Sequence, residues 1–125
     1  MAIFQQTLEK LQHFTLLATT TITGTGDQTG VDLKDYDGDI QVILSGTAAG
    51  VGADLTFRLE ESDDNSTYTA VTGGAFTAIG NAAAKQVKTF NRDSLKRYVR
   101  LSCSAETGTA SSSVTCFGYG LKKYG

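Results

Sequence analysis

Apolar residues recur at every second position in runs too short for helices, and this alternation constrains the chain more than any motif in it. In "DIQVILSG" Ile40, Val42 and Leu44 share one side of an extended chain. In "DLTFRLEES" Leu55, Phe57 and Leu59 do the same, with Thr56, Arg58 and Glu60 facing the other way, the pattern of a half-buried strand. "KRYVRLSCS" repeats it, with Val99, Leu101 and Cys103 inward and Tyr98, Arg100 and Ser102 outward. The last run, "SSSVTCFGYGLKKY", is apolar on both sides: Val114 and Cys116 on one, Phe117, Tyr119 and Leu121 on the other. Such a strand is either central to a sandwich or bulged at Gly118.

"FTLLATTTITG", "STYTAV", "AFTAI" and "KQVKTFN" complete the set of strand-like runs. Turn-formers separate them: "GTAAGVGA", "SDDN" and the pair Gly73 and Gly74. About seven or eight short strands at roughly 8 to 12 residue spacing predict an all-β fold, an antiparallel β-sandwich of jelly-roll or Greek-key type. A length of 125 residues allows one domain. Residues 25–125 are expected to form the sandwich, and residues 1–24 an N-terminal arm and lead-in strand. In that arm Phe4, Leu8 and Leu11 stand at spacings of four and three, which predicts a short amphipathic helix over the first twelve residues. A terminal segment of this kind needs a partner to be stable, either its own domain or a neighbouring subunit.

A net charge of −2 supplies no global attraction to nucleic acid or to an anionic membrane. The distribution is uneven. Asp27 to Asp64 holds ten carboxylates against Lys34 and Arg58, whereas Lys85 to Arg100 holds six basic residues against Asp93. Charges solvating opposite sheet faces would explain this; so would a bipolar surface that docks against copies of itself or a partner. Phe90 and Tyr98, interleaved with the basic stretch, could stack bases, but their density is that of an ordinary sheet, and no nucleic-acid partner is expected.

"DYDGD", Asp35 to Asp39, spaces its carboxylates like the start of an EF-hand. That loop needs glycine at its sixth position and glutamate at its twelfth, where this chain has Ile40 and Gly46. A nonspecific calcium site at an acidic turn is what remains; otherwise Gly38 and the Asp side chains form a turn into the strand Ile40 to Leu44. Glu60, Glu61, Asp63 and Asp64 sit at a strand end and a turn, where solvent keeps carboxylates ionised and unsuited to paired acid/base work. His13 is the single histidine, which excludes a four-ligand zinc site and leaves no nucleophile–base arrangement. "GTAAGVGA" lacks the lysine and hydroxyl of a phosphate loop. The chain is expected not to be an enzyme and to use no cofactor or metal.

The start of the chain lacks a basic leader region, and no apolar run approaches the ~20 residues of a membrane span. No membrane partner is expected, and assembly is placed in the cytoplasm. Cys103 and Cys116 flank "SAETGTASSSV"; a hairpin centred near Thr109 would set the thiols opposite each other, though reduced thiols suit the compartment better.

Segments from Gly30 to Thr47, "GVDLKDYDGDIQVILSGT", from Leu55 to Val71, "LTFRLEESDDNSTYTAV", and from Lys96 to Ser104, "KRYVRLSCS", follow one another in an order that resembles the small β-sandwich virion proteins of tailed bacteriophages. Asp35, where a small residue or glycine is expected, and the N-terminal arm depart from that pattern. The resemblance implies a noncatalytic head decoration or cement protein on the outer capsid surface, assembled in the host cytoplasm. Its implied partners are the major capsid protein and itself, as a dimer or trimer. Phe4, Leu8, Leu11, Lys85, Lys88 and Arg92 are the expected contact residues. A neck or tail protein of the same particle and a carbohydrate-binding sandwich are the alternatives, the latter weakened by the absence of tryptophan.

Overall fold

The alternating runs form two antiparallel sheets in a computed structural model that describes residues 11–122. In chain order the strands are β1 (Leu11–Ile22), β2 (Gly26–Asp27), β3 (Val31–Asp32), β4 (Tyr36–Gly46), β5 (Asp54–Ser62), β6 (Thr69–Ala75), β7 (Ala84–Asn91), β8 (Tyr98–Thr107) and β9 (Ser112–Lys122). A 3-10 turn, Arg92–Ser94, precedes β8. One sheet has the order β1-β9-β4-β7; the other has β2-β8-β5-β6, with β3 also pairing with β8. Taking β2 and β3 as one interrupted strand gives eight strands in two sheets, the jelly-roll arrangement of the sandwich.

The inward alternation is the one the sequence predicts. Ile40, Val42 and Leu44 of β4 face Leu55, Phe57 and Leu59 of β5 and Leu101 of β8, and all are at most 2% exposed. Val114 and Cys116 close the layer from β9, and Ile79 from the β6–β7 connection. The β9 strand is apolar on both sides because it is central, with β1 and β4 as its neighbours. Gly118 is the position opposite Phe14 on β1, and a Cβ there would run into the Phe14 ring. The glycine therefore admits an aromatic ring across the ladder.

Several expectations are corrected. Leu11 and Gln12, placed in a terminal helix, begin strand β1 and pair with Leu121 and Gly120; the backbone of β9 offers a ladder that outweighs a local helical period. Phe4 and Leu8 lie outside the described residues. Phe14, Leu16 and Leu17 of β1 contribute to the core.

Strands β8 and β9 do not form a hairpin. Gly108, at φ 66°, turns the chain against Gly52 and Ala53, Ser111 N donates to Ala49 O at 3.0 Å, and the chain crosses to the other sheet. Cys103 consequently pairs with Gly26 and Phe57 in one sheet, and Cys116 with Leu17 and Leu44 in the other. Both are buried free thiols. Gly73 and Gly74, read as a break, lie within β6, at a shift of register against β5 between Arg58 and Glu60.

The acidic stretch is also displaced from its expected place. The turn is at Leu33 to Asp35, closed by Tyr36 N donating to Leu33 O at 3.0 Å, and β4 starts at Tyr36. "DYDGD" continues as a bulge: β4 advances from Asp37 to Gln41 while β9 moves only from Leu121 to Tyr119. Gly38 takes the required positive φ of 71°. Tyr36 is 6% exposed and packs edge-on against Phe14 at a centroid distance of 5.3 Å.

Candidate functional site

The outward faces of the two sheets differ in chemistry. On the β2-β8-β5-β6 sheet the outward residues are charged and paired. Glu60 on β5 accepts from Arg58 of its own strand at 2.7 Å and from Arg100 on β8 at 2.7 Å. Arg100 also reaches Asp27 on β2 at 3.2 Å, and Arg97 meets Asp32 on β3 at 2.9 Å. Lys96 lies 3.9 Å from Asp63, and its backbone N–H donates to Glu61 at 3.0 Å. The Arg97 guanidinium, donating to Asp32, holds that carboxyl below its usual range.

These pairs explain the charge asymmetry in the sequence. The acidic and basic segments fold onto adjacent strands and neutralise one another within the molecule, so Lys96, Arg97 and Arg100 do not form a free basic pole. Among the described residues no group of three His, Cys, Asp or Glu side chains could hold a metal ion.

The outward face of the β1-β9-β4-β7 sheet is more apolar and carries few charges. One row across the strands runs His13, Tyr119, Gln41 and Thr89; the next runs Thr15, Phe117, Ile43 and Val87. Phe117, Tyr119, Ile43 and Leu121 are half-buried, and Leu11 and Val87 are exposed by 47% and 51%. His13, Phe117 and Tyr119 form an aromatic triangle: His13 lies 5.4 Å from each of the other two, which are 5.8 Å apart in an edge-on contact.

At one end of this face the β4 bulge opens a shallow cavity of about 360 Å³. Leu11, Leu121 and Tyr119 supply its apolar wall, and Asp39, Gln41 and Thr89 its polar one. A two-residue excess in β4 lifts the chain away from β9, so the cavity is a consequence of "DYDGD". The carboxylates there are spread along a strand instead of converging, so they offer no paired acid and base.

The expected contact residues are only partly brought together. Leu11 and Lys85 share the apolar face, at the start of β1 and on β7. Lys88 points to the other side of β7, with its ammonium 5.7 Å from the Phe76 ring centroid. Arg92 is an internal tie: Nε donates to Leu33 O at 2.8 Å and Nη1 to Leu95 O at 3.0 Å. Phe4 and Leu8 are outside the described residues. The sequence reading did not select His13, Ile43, Val87, Phe117 and Tyr119 as contacts. The signal was present in the two-sided apolarity of β9 and in Ile43 between Val42 and Leu44.

No protein-family model matches the sequence, and no curated protein does. Solved structures do share the fold. SPBc2 prophage-derived protein YomS superposes with a TM-score of 0.56 at 15% identity, over 87% of this chain and 92% of that one. PBSX exported protein XepA gives 0.59 at 17% identity, over 91% of this chain and 38% of that one. A chain from the structure of infectious bursal disease virus Gx strain gives 0.55 at 14% identity, over 91% and 32%. This chain thus spans roughly a third of the length of the last two. At these identities the likeness is one of fold.

Proposed function

We propose that this chain is a noncatalytic structural protein of a tailed-phage particle, a decoration protein that binds the exterior of the capsid and bridges neighbouring capsomers. One observation carries the reading: of the three large, exposed hydrophobic residues among the described residues, two, Leu11 and Val87, lie on one broad sheet face with Phe117 and Tyr119. An aromatic-aliphatic sheet face of this kind is a contact surface for a protein chain, a second copy included, and the shallow cavity at its Leu11 and Asp39 end lacks a convergent pair of catalytic groups. The charged side chains of the opposite sheet are engaged in ion pairs with one another.

The fold shared with YomS and with a chain of a virus structure supports this reading, as does the serial likeness of the three segments between Gly30 and Ser104. A rigid sandwich repeated many times over a shell needs only modest affinity per contact, because multivalency multiplies it. The test is to purify particles from cells that carry this sequence and to combine quantitative mass spectrometry with particle imaging. The expected result is this chain on the head in a copy number comparable to that of the capsomers. A handful of copies at the neck or tail would refute decoration in favour of a connector role, and absence from the particles would refute a virion role.

A further inference from the structure

The apolar face has a direction. Asp39, beside Asn91, stands at one end of it, and Lys85, beside Ser45, at the other. Asp39 and Lys85 are both exposed, and the stretch of β7 from Lys85 to Asn91 separates their levels by about 20 Å at ~3.3 Å per residue. Between the two ends lie the Tyr119 row and the Phe117 row.

We propose that this face is the contact surface of a dimer of this chain, built on a two-fold axis that lies in the interface and runs across the strands. Such an axis keeps each strand over its counterpart and reverses its direction. Lys85 then meets the Asp39 end of the second copy, twice by symmetry. The middle rows exchange in the same way: Tyr119 comes over Phe117, and Gln41 and Thr89 over Ile43 and Val87. The oppositely charged ends are therefore complementary to one another, which is what an isologous contact requires. A two-fold axis along the strands would instead bring Asp39 of β4 close to its own copy and lay Lys85 of the edge strand β7 over the partner's β1, away from any Asp39. The charges select the first arrangement.

Size sets the strength. Four strands ~4.8 Å apart and about eight residues long present roughly 500 Å² of flat face, below the ~800 Å² per partner of a standard interface. The dimer is accordingly a micromolar one, tens to hundreds of micromolar in Kd, and it weakens with added salt. It can be read in the purified protein, so it stands or falls apart from the virion assignment.

The experiment is sedimentation equilibrium of the full chain between about 1 and 500 µM, at low and high salt. Reversible monomer–dimer behaviour is expected. Asp39→Lys and Lys85→Glu should each weaken it about tenfold, since like charges then face each other at two symmetric contacts. An equimolar mixture of the two single variants should restore a dimer, because every contact in the mixed pair again joins opposite charges. Both positions are exposed, and unchanged melting temperatures establish that the variants fold. A monomer throughout the range, a dimer indifferent to both substitutions, or no recovery on mixing would each overturn the proposal. So would a dimer that forms only after residues 2–10 are removed, which would give the face to the chain's own N-terminal segment.

Discussion

Arg100 grips one oxygen of Glu60 with two donors, Nε at 2.8 Å and Nη2 at 2.7 Å. The other oxygen is taken by Arg58, through Nε at 3.0 Å and Nη2 at 2.7 Å, which leaves Glu60 5% exposed between two guanidinium groups. Tyr68 lies over Arg100, the guanidinium carbon 3.9 Å from its ring centroid. The cluster ties β5 to β8 and fixes the polar sheet, against which the apolar sheet stands in contrast.

Glu60→Ala leaves both cations without their partner. The Arg58 side chain, 43% exposed, can rehydrate, so the loss is about 2 kcal/mol, below the ~3–5 of a fully buried pair. For a domain of this size calorimetry should show a melting temperature lower by roughly 6–10 °C. Glu60→Gln, which keeps the volume and an acceptor, should lose less. Equal stability of Glu60→Ala and the parent would show that the pair contributes nothing.

Acid should destabilise the fold through two identified carboxylates. The Arg97 hydrogen bonds hold the Asp32 carboxyl low, and the backbone N–H of Thr67, the Ser62 hydroxyl and the backbone N–H of Ser66 do so for Asp64. A folded-state pKa below the unfolded one means that the stabilisation is complete above the ordinary value of about 3.9 and disappears as pH falls through the lower folded value. The melting temperature should therefore decline below about pH 4. The double variant Asp32→Asn with Asp64→Asn should be less stable at neutral pH and should decline less steeply in acid. Parallel curves for parent and variant would rule out these two groups as the cause.

Phe14 and Gly118 should behave as a coupled pair. A methyl group at Gly118 enters the Phe14 ring and comes within 3.0 Å of Gln41 O, so Gly118→Ala costs about 1–3 kcal/mol by overpacking. Adding Phe14→Leu opens space and should return part of that loss, giving a double variant more stable than the sum of the singles in urea unfolding. Simple additivity would mean that the ring and the glycine do not constrain each other.

The sandwich was legible because its strands are half-buried and therefore alternate: Leu55, Phe57 and Leu59 could point only inward. Connectivity was not, since a run of small polar residues such as "ETGTASSS" serves a hairpin or a crossing between sheets equally well. What decided it is the packing of Gly108 against Gly52 and Ala53, far away in sequence. Leu11 and Gln12 depart from the expected helix for a related reason, because the strand partner of Leu11, Leu121, lies at the opposite end of the chain. The two charge blocks were visible, but neither solvated opposite faces nor a bipolar surface anticipates their pairing, since only the register of β5 against β8 places Glu60 opposite Arg100. The apolar face was half visible, through Phe117, Tyr119 and Leu121. Ile43 and Val87 join it only by lying level with Phe117 across two ladders.

The two thiols give a readout of how the sheets open. Burial pushes the Cys116 thiol up to about 12 and raises that of Cys103 as well. Reaction with Ellman's reagent needs a thiolate and a path to it, and the native protein offers neither. At about pH 8 the folded chain should therefore stay unmodified for hours, while both cysteines react at once in guanidinium chloride. Cys116 sits on β9, inside the β1-β9-β4-β7 sheet, so its labelling requires that sheet to come apart and should occur at the rate of global unfolding. Cys103 is opposite Gly26 of the two-residue strand β2, whose release is a smaller event. Mass spectrometry of partly labelled protein should accordingly find Cys103 modified before Cys116. The reverse order, or a disulfide-linked mass in the untreated protein, would contradict the placement of the two strands in separate sheets.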